Sequence, residues 1–160
     1  PGSPSGISWG ANNFGDTTDA PGVPYLLMSN SFDISVELRF RDLDAYGHVN
    51  NASYFTLMET ARVKFLHRYY PRAFESGPLF LVARATCDFK LPLGLVEEVT
   101  VRISTSRFGR SSFYIGYEIV GPGEQIHAVG ETRMVCVDRE SHRPTAVPEA
   151  FKDILTENAP

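Results

Sequence analysis

The stretch RDLDAYGHVNNASYF, residues 41–55, gathers two aspartates, a glycine, a histidine and two asparagines directly before an apolar segment. Turn and cap chemistry can account for it. Asp, Gly and Asn are favoured in turns and at helix starts for backbone reasons, whatever a protein does. The alternative is a reaction centre. A helix N-terminus carries unbonded backbone N–H groups and the positive end of the helix dipole. Such donors stabilise an oxyanion that develops on a carbonyl. Asp44 lies a few residues before that start, and a carboxylate there can activate a water or attack the carbonyl itself. Gly47 lets the backbone approach a ligand closely. The combination suits hydrolysis of an activated acyl group. Asp42 and Asp44 face the same side of an extended chain, and close carboxylates raise one pKa. Capping or bracing the loop is the simpler role for Asp42.

The flanking residues indicate what must hold this stretch. Ile34, Val36, Leu38 and Phe40 alternate with Ser35, Glu37 and Arg39, the pattern of a half-buried strand. From Ala52 to about Tyr69 the spacing becomes helical, with Tyr54, Leu57, Met58, Ala61 and Phe65 on one stripe. Phe55, Val63 and Leu66 widen the apolar surface, so the helix is expected to be wrapped by other elements. Asn50 or Asn51 is its N-cap, and Tyr70-Pro71 closes it. Four strands are predicted beyond Gly77 and Pro78, at 79–89, 96–105, 111–120 and 125–138. The connections are LPLG, SRFGR and GPGE, and three of these four strands follow one another through short turn-rich links, which favours antiparallel meander pairing. A short amphipathic helix at 148–155 follows. The pattern predicts one α+β domain over 32–160, with a sheet able to curl around one helix. Residues 1–31 read as an irregular extension. Met28 looks like a natural start, so part of the extension is expected to be a non-native leader or a segment of a processed precursor. The alternative is an arm gripping the domain through Trp9, Phe14 and Tyr25.

The string D-L-D-A-Y-G-H-V-N-N-A-S-Y, with the apolar helix after it, resembles the 4-hydroxybenzoyl-CoA thioesterase branch of the hotdog-fold superfamily. It also looks like the D-x-D-x-x-x-H-V-N-N-x-x-Y signature of plant acyl-ACP thioesterases. C-D-F-K-L-P-L-G at 87–94, R-F-G-R-S-S-F at 107–113 and T-R-M-V-C-V-D at 132–138 extend the likeness over about 32–155. The resemblance implies a hotdog: a curved antiparallel sheet wrapped around one long central helix. It implies hydrolysis of an acyl-CoA to free acid and CoA. It implies a homodimer with active sites at the interface, often paired further into a homotetramer.

Residue by residue, Asp44 matches the catalytic carboxylate and Asn51 the backbone amide that polarises the thioester carbonyl. His48 matches the histidine of the plant-type motif, or else braces the loop by a hydrogen bond. Tyr46 stands where that motif has Asn. Some hotdog thioesterases use a glutamate from the central helix, which makes Glu59 a reserve base or nucleophile. The simpler expectation pairs Glu59 with Arg62 one turn on. Gly47 and Val49 are the motif's candidate substrate contacts. Arg110 matches a position near the nucleotide end of CoA, and Arg107 and Lys90 offer further cations for phosphate. Phe55, Phe80, Phe113 and Tyr114 are candidate acyl-pocket residues that the core also needs.

Bulk numbers bound the alternatives. The 160 residues suit one domain, and 42% hydrophobic with 21% charged residues is ordinary for a globular protein. A net charge of −4 argues against a general nucleic-acid or membrane-surface binder. No apolar run approaches the ~20 residues that span a bilayer, and no signal peptide is expected. Cys87 and Cys136 read as buried free thiols of a cytoplasmic protein. His48, His67, His127 and His142 lack ligand spacing, so no metal is expected. No cofactor is expected, since CoA is part of the substrate. Hydrolysis of acyl-ACP and non-catalytic binding of acyl-CoA are the rival readings.

Overall fold

A computed structural model describes residues 30–96 and 98–157 of the chain. The expected extension 1–31, with Trp9, Phe14 and Tyr25, lies almost wholly outside the described residues. The elements run β1 (Ser31–Glu37), α1 (Asn51–Tyr69), α2 (Arg72–Glu75), β2 (Leu79–Phe89), β3 (Glu98–Phe108), β4 (Ser112–Val120), β5 (Ile126–Val137) and α3 (Glu149–Glu157). The five strands form one sheet in the order β1-β3-β4-β5-β2. Every neighbouring pair is antiparallel. The links SRFGR and GPGE therefore serve the β3-β4-β5 meander that the spacing predicts, while LPLG joins β2 to β3, which are not neighbours in the sheet. This is the hotdog arrangement, an α+β fold with one long helix against a curved antiparallel sheet.

Topology explains the helix. β1 and β2 occupy opposite edges, so the chain between them must cross the sheet. Four inter-strand steps span ~19 Å, and a helix the length of α1 reaches ~28 Å, enough for the crossing. Its inner stripe, Tyr54, Leu57, Met58, Ala61, Phe65 and Leu66, is buried. Against it stand Val99, Val101 and Ile103 of β3, Phe113, Ile115 and Ile119 of β4, and Ala128, Met134 and Cys136 of β5, all in one core. Gly130 admits the helix closely: a Cβ there would overlap Met58 Sδ. α3 adds Phe151, whose ring packs on Tyr70, Phe80 and Phe113.

Three expectations need correction. Phe40 does not continue the β1 alternation. The strand ends at Glu37, a 3-10 turn covers Phe40–Asp42, and Phe40 is 82% exposed. The Asp42 carboxylate accepts the Arg39 N–H at 2.8 Å, and that bond turns the chain. Second, α1 is not wrapped on all sides. Phe55, Glu59 and Val63, four residues apart, form an exposed flank. Third, Glu59 does not pair with Arg62. Arg62 turns into the core, where Nη1 donates to the Tyr117 hydroxyl at 3.0 Å, itself 2.9 Å from Thr132 Oγ1. The inner face has room for the arginine stem, and the hydroxyl pair supplies the partner its head needs.

Both cysteines are free. Burial pushes each thiol up to about 11, so both stay protonated and unreactive near neutral pH.

Tyr117→Phe leaves the Arg62 N–H and the Thr132 hydroxyl unpaired in the core, so it should lower stability by about 1–3 kcal/mol in urea denaturation. An unchanged midpoint would mean that this buried trio adds nothing.

Candidate active site

The segment between β1 and α1 is a loop closed largely by its own backbone. Asp44 N donates to the His48 carbonyl at 2.7 Å, and Gly47 N to the Asp44 carbonyl at 3.1 Å. Leu43 and Val49 form an isolated antiparallel bridge. The Asp44 carboxylate organises the tip. Its Oδ1 accepts the Tyr46 N–H at 2.8 Å and the His48 N–H at 3.1 Å. Asp favours this local turn because its short side chain reaches amides two to four residues on. Gly47 has φ +77, a left-handed conformation that glycine adopts without strain. A Cβ at Gly47 would meet no atom within 4 Å, so the requirement there is conformational.

Asp42 is the brace expected of it. Besides its carboxylate bond to Arg39, its carbonyl accepts the Asn50 N–H at 2.8 Å and the Ser53 hydroxyl at 3.1 Å. Asn50 is the N-cap, and its side-chain oxygen accepts the Ala52 N–H at 2.9 Å. The choice left open between the two asparagines is thereby decided. Asn51 becomes the first helical residue, and among the described residues its amide N–H has no acceptor. Asp44 Oδ2 likewise has no hydrogen-bond partner among them, and Asp44 is half-buried. One loop thus holds a free carboxylate oxygen at one end and a free helix N–H at the other.

The remaining candidates divide by place. Val49 is 4% exposed, so it is a core anchor of the loop, and its N–H donates to the Leu93 carbonyl at 2.7 Å. His48 holds the loop through its main chain; its half-buried ring makes no hydrogen bond among the described residues. Tyr46, at the tip, is 86% exposed. Glu59 is exposed on the open flank of α1. Lys90 is exposed near the loop, its N–H on the His127 carbonyl at 2.8 Å. Arg107 and Arg110 sit elsewhere. Arg107 stacks on Tyr114, 4.0 Å from the ring centroid, and pairs with Glu131 at 3.5 Å. Tyr114 lies six residues along β4 from Val120, whose end of the sheet carries the loop. That is ~20 Å of strand, so a single chain does not bring these arginines to Asp44.

Phe80 and Phe113 are core packers, in contact with each other at 5.1 Å. Phe55 is on the open flank, and Tyr114 lies under Arg107 on the face away from α1. Sequence reasoning missed the support from the segment before β3. Nothing in L-P-L-G marks Leu93 as the acceptor for Val49, because a backbone acceptor leaves no trace in residue type. Among the described residues no three of His, Cys, Asp and Glu come together as a metal site, and no helix is long and apolar enough to cross a membrane.

A family model described as the thioesterase-like superfamily matches residues 38–155. A putative acyl-CoA thioesterase of Bacillus subtilis, YneP, is 29% identical over 121 residues, 74% of this chain and 88% of that protein. The acyl-CoA thioester hydrolase YbgC of Escherichia coli is 26% identical over 119 residues, 72% of this chain and 89% of that one. A thioesterase from Thermus thermophilus, solved in complex with coenzyme A and Zn, superposes with a TM-score of 0.66 at 36% identity, covering 77% of this chain and 90% of that one.

The two asparagines should separate on substitution. Asn50→Ala removes the cap and should cost about 1 kcal/mol in chemical denaturation. Asn51→Ala should stay within about 0.5 kcal/mol, since only its backbone is used. Equal losses would contradict the assigned cap.

Proposed function

We propose that this chain, which belongs to the thioesterase-like superfamily, hydrolyses an acyl-CoA thioester to the free acid and CoA. The observation that carries the reading is that one loop, 44–51, holds two groups without a partner among the described residues: Asp44 Oδ2 and the Asn51 N–H. The thioester carbonyl oxygen rests on the Asn51 amide, where the helix dipole favours developing negative charge. Asp44 acts from Oδ2, as base on a water or as nucleophile in a mixed anhydride. Its Oδ1, held by two amides, keeps the carboxylate aimed. CoA leaves as a stabilised thiolate, so no strong general acid is needed. His48 serves through its backbone, and Glu59 is the reserve carboxylate. No cofactor or metal enters the scheme. The acyl-CoA activity named for YneP and YbgC, and the coenzyme A bound by the Thermus enzyme, support this substrate class.

The active unit is a homodimer, with a homotetramer as its further pairing. β2 is an edge strand with Leu81 50%, Val82 47% and Phe89 39% exposed. A long apolar edge invites another strand, and pairing with a second copy's β2 covers both edges by one twofold axis. Such a pairing also gives Arg107 and Arg110 a use, since a partner's site can come within reach where the chain's own is too far. The open flank of α1 is the surface left for tetramer formation. Two free thiols suit a reducing compartment, and the cytoplasm is the proposed location.

Thiol release from a panel of aromatic, short-chain and medium-chain acyl-CoA substrates tests the reading. Asp44→Asn should keep the fold and lose at least ~10²-fold in turnover. Near-wild-type hydrolysis by that variant, or tight binding without thiol release by the native chain, would overturn it. Sedimentation velocity should give a dimer or larger, and Val82→Asp should shift it toward monomer with loss of turnover. A fully active Val82→Asp monomer would refute the interface site.

A further inference from the structure

The candidate site's loop leans on a segment with no polar side chain that could explain its placement. Val49, between His48 and Asn50, donates its N–H to the Leu93 carbonyl at 2.7 Å. Leu93 is 2% exposed, so the acceptor lies in the core. What fixes Leu93 is the preceding residue. The Pro92 carbonyl is 3.0 Å from Nδ1 of His127, a residue 6% exposed. A carbonyl only accepts, so the imidazole donates from Nδ1.

His127 is built into this position. β4 pairs Ile119 with Ala128 and then Val120 with Ile126, which makes His127 the extra residue of a bulge. A bulge re-aims a side chain that regular alternation would point elsewhere. The main chain of His127 joins in, its carbonyl taking the Lys90 N–H at 2.8 Å and the Leu91 N–H at 3.1 Å. Gly121 makes room for the ring: a Cβ there would stand 2.5 Å from Nε2. Nε2 itself is buried without a protein partner among the described residues. A buried unpaired polar atom works against the fold, and an aliphatic side chain would fill the space without one. The Nδ1 bond is what the imidazole supplies in return.

We infer that His127 is a positioning residue of the thioester site: through Pro92 and Leu93 its Nδ1–H sets the height of Val49, and so the separation of the Asp44 carboxylate from the Asn51 amide. Two bonds at 3.0 and 2.7 Å connect the bulge to the loop. The ring touches no substrate, and the inference rests on the function proposed above. It acts on geometry at the reacting carbonyl, so the effect belongs in kcat rather than KM.

His127→Leu keeps the apolar bulk and removes the donor. It should lower kcat by about tenfold with KM changed by less than about twofold, and it should speed hydrogen exchange at the Val49 amide while β4 amides stay protected. His127→Asn, whose side-chain amide can donate to the same carbonyl, should recover most of the kcat. Histidine-selective ¹⁵N spectra of the native chain should show the Nδ1–H tautomer. Native kcat and native Val49 exchange in His127→Leu would overturn the inference, as would an Asn variant as slow as the Leu variant. If His127→Leu does not fold, Gly121→Ala presses on the ring while keeping it and should show the same loss of kcat and faster Val49 exchange; native values there overturn the inference too. A native chain without thioester hydrolysis would overturn the proposed function, and with it any effect of His127 on turnover. Val49 exchange that ignores the ring in an active enzyme would overturn the positioning role alone.

Discussion

The chain leaves β1 at one edge of the sheet and must re-enter as β2 at the other. That crossing governs the rest of the molecule. It demands a long connection over one sheet face, and α1 meets the demand with an apolar stripe matched to the inner residues of β3, β4 and β5. A crossing helix also has a start, and the start has N–H groups that no sheet can satisfy. Asn50 takes one of them with its side chain, and among the described residues the Asn51 amide is left without an acceptor. The proposed oxyanion donor is therefore a by-product of topology, placed where the loop from β1 turns into the helix.

Around that amide the structure uses backbone more than side chains. Asp44 divides its two oxygens: Oδ1 accepts the Tyr46 and His48 amides, and Oδ2 has no partner among the described residues. The division matters because a carboxylate with no fixed oxygen would swing, and one with both oxygens bonded would be a poor base or nucleophile. Asp42, two residues earlier, spends its carboxylate on Arg39 and its carbonyl on Asn50 and Ser53. Two neighbouring aspartates thus differ in role because they face different amides. The same economy holds at Val49, pinned by the Leu93 carbonyl within the β2–β3 connection.

One chain leaves visible gaps: an apolar edge on β2, an exposed flank on α1, and arginines at the end of the sheet away from Asp44. Each is a poor feature for an isolated molecule and an ordinary one for an assembly. The proposed dimer answers them together, since pairing at β2 covers the edge and can bring the far end of one chain toward the loop of the other.

Much of the architecture could be read from local pattern. The alternation at Ile34 and Val36, the helical stripe from Tyr54 to Phe65 and the turn-rich links of the meander are short-range signals, and each element formed close to where its period placed it, although β3 runs on to Phe108 through part of the link SRFGR. The motif around Asp44 carried the family and the loop, because turn and cap residues are chosen by their own backbone. Phe40 misled because a residue that fits an alternation cannot announce that Asp42 will turn the chain before it. Glu59 and Arg62 misled because helical spacing makes a pair possible, while the depth of Arg62 depends on Tyr117 and Thr132 from distant strands. By itself the sequence determined the five strands, α1 and α3, their order and the composition of the loop, since these depend on neighbours along the chain; it did not mark the short α2. Only the tertiary structure decided which asparagine caps and which amide stays free, that Leu93 and His127 stand behind Val49, and that Arg107 and Arg110 lie a strand's length from Asp44. Those outcomes are set by contacts between residues far apart in the chain and by backbone groups that every residue shares.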